Sequence, residues 1–180
     1  VVRSSFPPSF RKFMAEVLED ILNDIDKVEL DDKILNFKEH MKTLPLIDVM
    51  FPIGVKNVKK YTRKGDELFS VRMKGTPVHV KSALNYNDML KHHKVRTIRG
   101  IINGEKIKWT YLKNNSMGLD TMALKGYDDP SPIYDFVAQH IDHEKVFKSA
   151  FANKLNDFYG ALKWGKVPEN NNLGKFFAFG

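Results

Sequence analysis

The sequence predicts an α+β chain. A helical body is expected from residues about 6–44 and 131–162, with a basic subdomain between them that carries a small antiparallel sheet and a flexible C-terminal tail. Three observations predict it. Apolar residues recur at helical period in both flanking regions. Asn103-Gly104, a tight-turn pair, lies between apolar residues in the middle. Charge is also partitioned. Residues 1–53 hold seven Lys and Arg against ten Asp and Glu, residues 54–113 hold 15 against four, and residues 114–180 hold seven against eight. The whole net charge of +7 therefore arises in the middle third.

The first helix is read from Ser9 to Asp26. Phe10, Phe13, Met14, Val17, Leu18, Ile21, Leu22 and Ile25 fall on one stripe. Pro7 and Pro8 suit its first turn, where a missing N–H costs nothing. Asp31 and Asp32 are expected to cap a second helix that runs to Leu44, with Ile34, Leu35, Met41 and Leu44 inward. Pro45 ends it, and Leu46 to Ile53 reads as extended and buried. Gly54 to Tyr61 is a candidate short basic helix, and Arg63-Lys64-Gly65-Asp66 a turn. Gly75-Thr76-Pro77 opens a further helix to about His92. Ile101 to Ile107 is the strongest hairpin signal, and Lys106 to Lys113 alternates basic with apolar residues. Asp128-Asp129-Pro130 turns into a helix holding Ile133, Phe136, Val137 and Ile141. Asp142 can cap the next, with Val146, Phe147, Phe151, Leu155 and Phe158 inward.

Catalytic machinery is hard to find. There is no Gly-rich phosphate loop, and the chain has no Cys for a nucleophile or a thiolate metal site. Asp31-Asp32 reads as a cap and Asp128-Asp129 as a turn. His92-His93 has cationic neighbours, Lys91 and Lys94, which oppose metal binding. His140 and His143 flank a helix boundary and suit capping or packing. No apolar run nears the roughly 18 residues a membrane-crossing helix needs. Val1-Val2-Arg3 opens without Met, and the chain is expected to be a piece of something longer.

The basic middle suits a polyanion or is simply a solvated surface. For duplex nucleic acid, Lys and Arg neutralise phosphates, while Asn, His and Tyr reach backbone oxygens. The C-terminal run places Leu173, Phe176, Phe177 and Phe179 behind a spacer of three Asn. Burying each such side chain is worth about 1.5–3 kcal/mol. The run therefore either docks on another protein or folds back on its own core.

At this point the residues resemble a known family. Val2-Arg3-Ser4-Ser5-Phe6-Pro7 resembles the palm-to-thumb passage of the family B DNA polymerases of T-even bacteriophages. Thr76 to Asn87, TPVHVKSALNYN, resembles their thumb helix, and Val95 to Lys113 the neighbouring basic hairpin. Ile141 to Phe151, IDHEKVFKSAF, resembles their penultimate helix. Leu173-Gly174-Lys175-Phe176-Phe177 is similar to their clamp-binding C-terminal peptide. These segments span the chain in the family's order.

The resemblance implies a thumb domain over residues 1–165, with a DNA-facing subdomain at about 54–113, followed by a linker and clamp peptide over 166–180. It implies duplex contact by His79, Lys81, Asn85, Tyr86, Lys94, Arg96 and Lys113, and clamp contact by Leu173, Phe176 and Phe177. The implied partners are primer–template duplex DNA, a sliding clamp, and the remaining polymerase polypeptide with palm, fingers and exonuclease. No membrane partner is implied, and the location would be the cytoplasm of an infected bacterial host. The catalytic carboxylates of such polymerases lie outside these segments. The chain is thus expected to be no enzyme alone and to hold no cofactor, the Mg belonging to the parent polymerase. It would be either an excised thumb or the smaller piece of a split polymerase. The alternative is a free-standing basic nucleic-acid-binding protein whose apolar tail recruits another partner.

Overall fold

The computed structural model describes residues 2–65 and 67–170. In chain order its elements are α1 (Pro8–Leu22), α2 (Lys27–His40), a 3-10 turn (Met41–Thr43), α3 (Leu46–Val49), β1 (Phe51–Gly54), α4 (Val58–Tyr61), α5 (Val78–His92), β2 (Lys106–Tyr111), β3 (Thr121–Leu124), α6 (Ser131–His140), α7 (His143–Phe147), a π-turn (Lys148–Ala152) and α8 (Asn153–Ala161). The α+β class is as expected. The chain divides into two units. One takes residues 8–49 and 143 onward, and the other takes 4–7 and 50–142.

The first unit is helical. The stripe of α1 buries Phe10, Phe13, Met14 and Val17. Its core is aromatic: Phe13 stacks on Phe37 of α2 with centroids 3.9 Å apart, and Phe10 meets Phe37 edge-on at 5.3 Å. Phe151 of the π-turn closes on Phe13 at 5.2 Å, with Phe147 behind it. Phe37 was not among the inward residues the sequence predicted.

Two boundaries differ from expectation. The first helix stops at Leu22 instead of Asp26. Asp24 adopts φ +58°, Asp24 N–H donates to Ile21 O, and Ile25 N–H donates to Asp20 O at 3.1 Å. That is a left-handed stop made without glycine. The second helix is capped by Asp26, whose carboxylate accepts from the amides of Val28 and Glu29. Asp31 and Asp32 therefore lie inside α2 and cap nothing. Asp31 accepts instead from Tyr159 Oη at 2.7 Å.

The second unit is a three-stranded antiparallel sheet, ordered β1-β2-β3, with α5 against β2 and β3. The segment expected to be extended from Leu46 splits into α3 and β1. Leu46 and Val49 are buried at helical spacing, and the ladder starts only at Phe51. The Asn103-Gly104 turn forms, with Gly104 at φ +88°, but its flanks do not pair as a hairpin. Strand β2 pairs with β1 and β3 instead, Phe51 opposite Trp109 and Trp109 opposite Ala123. The reason lies in Asn87. Its amide takes both backbone groups of Ile101, at 2.6 and 3.0 Å, and so removes that residue from any ladder. The approach is close: a Cβ at Gly100 would stand 2.8 Å from Asn87 Oδ1.

Glu105 fastens the same turn. It accepts from Ile102 N–H and from Arg99, each at 2.8 Å, with Lys125 at 3.8 Å. Burial pushes its carboxyl up, but the Ile102 amide, Arg99 and Lys125 outweigh this and hold it below the ordinary value. A depressed folded pKa stabilises above the unfolded value, near 4.3, and the gain disappears as pH falls through the folded value. Glu105→Gln should cost about 1–2 kcal/mol at pH 7 by urea melts, with the gap closing in acid. A gap constant with pH would show that the charge contributes nothing.

Candidate functional site

The basic residues reach the surface because α5 is buried nearly all round and cannot display them. Val80, Ala83, Leu84, Tyr86, Met89 and Leu90 fill more than one face, and Ser82, Asn85 and Asp88 are buried with them. Charge is therefore pushed to the two ends of the helix.

At its N-terminal end stand His79 and Lys81. His79 is half-buried, and burial lowers its imidazole pKa. It is thus neutral at pH 7 and offers a hydrogen bond instead of charge. Lys81 Nζ donates to Asp120 at 2.7 Å. Asp120 O in turn accepts from Leu112 N–H at 2.9 Å, which brings exposed Lys113 to this end of α5. Lys113 N–H donates to His140 O at 2.7 Å, so its backbone is fixed.

At the C-terminal end stand exposed Lys91, Lys94 and Arg96. Lys94 has φ +55°. Its amide donates to Lys91 O, and that of Val95 to Leu90 O at 2.9 Å, another left-handed helix stop. A 15-residue helix separates the two ends by roughly 22 Å.

Asn85 and Tyr86, expected on the DNA-facing surface, are inside. Asn85 is 2% exposed; its Nδ2 donates to Thr121 O at 2.9 Å and its Oδ1 accepts from Arg72. Tyr86 is fully buried and its Oη donates to Asp129 at 3.0 Å. Burial first, then Asp129, raises the Tyr86 phenol strongly. Both side chains are occupied by the protein. Besides the named contacts the structure shows exposed Lys56, Lys59 and Lys60 around α4, within the stretch expected to be a short basic helix but not named singly as contacts. Their signal was the density of lysine in residues 56–64.

Asp129 closes its loop, accepting from Lys125 N–H at 2.9 Å and Gly126 N–H at 2.8 Å as well as from Tyr86. His140 Nδ1 lies 2.9 Å from Phe136 O, a helix-end contact. Among the described residues no group of three or more His, Cys, Asp or Glu is placed to hold a metal. Among them, too, no helix is long and apolar enough to cross a membrane.

The stretch from residue 166, expected to be linker, is packed as far as Glu169. Residues 164–169 lie on the helical unit: Trp164 packs edge-on to Tyr159, Val167 is buried, and its amide donates to Asn156 at 2.8 Å. Lys38, 4% exposed, pairs with Glu144 at 2.7 Å and donates to the Glu169 carbonyl. Pro168, inside the stretch expected to be linker, is half-buried between these anchors. Leu173, Phe176 and Phe177 lie outside the described residues.

Asn85→Ala and Tyr86→Phe should each destabilise the fold, by about 1–3 kcal/mol, because each leaves a buried partner short of a hydrogen bond. Chemical denaturation checks this. Unchanged stability with a large loss of duplex affinity would instead return them to the surface.

Compared with known proteins, the chain matches no family model and no curated sequence, so its chemistry has to be read from its own residues.

Proposed function

We propose that this chain is the C-terminal thumb part of a replicative family B DNA polymerase of the T-even bacteriophage kind. It would grip primer–template duplex through backbone contacts and bind a sliding clamp through its last residues. The observation that carries this reading is the colinear run of resembling segments, from Val2-Arg3-Ser4-Ser5 to Leu173-Gly174-Lys175-Phe176-Phe177. The charge distribution supports it. Exposed cations stand about 22 Å apart at the two ends of a rigid helix. That span covers roughly six phosphates of one strand. Lysines and arginines on phosphates carry no sequence information, as processive synthesis requires. His79, Lys81 and Lys113 would take one stretch of backbone, and Lys94 and Arg96 another.

On this reading the chain holds neither catalytic carboxylates nor Mg and incorporates nucleotides only with the polypeptide that carries palm, fingers and exonuclease. The setting would be the cytoplasm of an infected bacterium. A short peptide binds a clamp weakly alone, but tethered beside a duplex contact it gains effective concentration, on the order of mM. Anchoring by Lys38 and Asn156 would make Glu169 the point from which that tether is measured.

Two experiments test this. Duplex affinity should fall steeply with salt and be alike for unrelated sequences. Lys94→Gly is the sharpest variant. It relieves a left-handed Lys, which costs about 1–2 kcal/mol, an advantage the backbone freedom of Gly partly offsets, while removing a charge. Stability should rise slightly as duplex affinity falls about threefold or more; unchanged affinity would remove Lys94 from the interface.

For the tail, Phe176→Ala with Phe177→Ala should abolish clamp binding in a pull-down and leave duplex affinity and thermal stability within error. A large drop in stability would place the tail in the chain's own core.

A further inference from the structure

We propose that a cleft at the Lys106 end of β2 takes an unstacked nucleotide of single-stranded nucleic acid, a ligand different from the duplex considered above. The cleft has a volume of about 500 Å³ and lies wholly within the sheet unit. That size falls in the range of sites for one small ligand and excludes a duplex body. Lys106, Lys108, Lys125 and Tyr127 line it, with Gly54 and Ser4, and no acidic residue does.

The three lysines differ. Lys125 is only 7% exposed and lies 3.8 Å from Glu105. Its charge is largely spoken for. Lys106 and Lys108 have no ion pair among the described residues. They alternate with Ile107 on β2, so both face the same side about 7 Å apart. Lys108 is half-buried, and its stem runs past Gly126, where a Cβ would make ordinary contact with Cε at 3.6 Å. Two unpaired ammonium groups at that spacing suit neighbouring phosphates of an extended strand.

Tyr127 supplies the second half of the recognition. It is 62% exposed, yet its loop is fixed. Asp129 accepts from the amides of Lys125 and Gly126, and is itself held by buried Tyr86. Gly126 and Asp128 on either side of Tyr127 take left-handed conformations, at φ +88° and +51°. The ring is therefore offered on a pinned turn and loses little freedom on binding. An aromatic face can stack only on a base that is not already stacked in a helix. Unpaired lysines beside an exposed, held aromatic ring thus favour single strand over duplex.

The test uses the whole chain and fluorescence anisotropy with three probes: a labelled short oligo-dT, an abasic strand of equal length, and a duplex. Tyr127→Ala should weaken oligo-dT about tenfold and Tyr127→Phe should retain binding, since stacking needs the ring and not the hydroxyl. Duplex affinity should stay within twofold. Lys106→Gln with Lys108→Gln should lower the salt slope for oligo-dT by about 1.4, two phosphates at 0.7 each. Thermal melting of each variant checks the fold; Tyr127 and Lys106 are exposed and predict no change, and Gln at half-buried Lys108 keeps most of the stem. The proposal fails if Tyr127→Ala binds oligo-dT like the unaltered chain, if the abasic strand binds equally well, or if oligo-dT and duplex lose affinity in parallel. A duplex interface that fails its own tests leaves these outcomes unaffected.

Discussion

Four consecutive residues of α5 hold the sheet unit together. Successive helical side chains turn by about 100°, so Asn85, Tyr86, Asn87 and Asp88 point in four directions and each fastens a different segment. Asn85 takes a carbonyl of β3, Tyr86 takes Asp129, Asn87 takes both backbone groups of Ile101, and Asp88 takes Arg72 and the Phe69 amide. The apolar residues around them exclude water, which makes each unmet polar group costly and each met one specific. The loops are therefore placed by hydrogen bonds to one rigid rod, and what those loops display to solvent is placed with them.

The electrostatics follow from that arrangement. A helix buried on every side cannot carry charge along its length, so cations collect where the chain leaves it. Lys94 sits in the stop itself, and Lys113 emerges just beyond β2 with its amide bound to His140. His79 shows the opposite trend: partial burial holds it neutral. The basic surface is thus a set of points at fixed separations and not a smooth coat, and spacing, more than total charge, decides which polyanion it fits.

Much of this was legible in the sequence and some was not. The start of α5 after Pro77 follows from breaker residues and the structure agrees, whereas the α1 stripe holds for Phe10, Phe13, Met14 and Val17 but not for Leu22, which is exposed, or Ile25, which lies beyond the helix. The end of α1 was not legible because Asp24 makes a left-handed stop that normally advertises itself with glycine. The Asn-Gly turn was correct as a turn and misleading as a hairpin. One partner of β2, β1, lies some fifty residues back, and the other, β3, follows a loop and not the Asn-Gly turn; the non-local pairing leaves no local signal. At the site, the lysines were visible as composition. Asn85 and Tyr86 were misplaced because polar residues on a helix look solvent-facing. The available clue was that apolar residues from Val80 to Leu90 occupy more than one face, the mark of a helix buried all round.

The helical unit is assembled from two stretches of chain that are far apart in sequence. Phe10, Phe13 and Phe37 are made first, and their partners Phe147 and Phe151 come only after residues 50–142. At 5–20 residues per second, a ribosome needs roughly 5–20 s to cross that gap. For that interval the first two helices carry an aromatic face whose partners are unmade, while the sheet unit, whose residues 50–142 are one run of chain, is completed before those partners appear. Synthesis therefore imposes an order on when these aromatic partners become available. Slow translation through the middle of the message would lengthen the wait without altering a single contact of the finished protein.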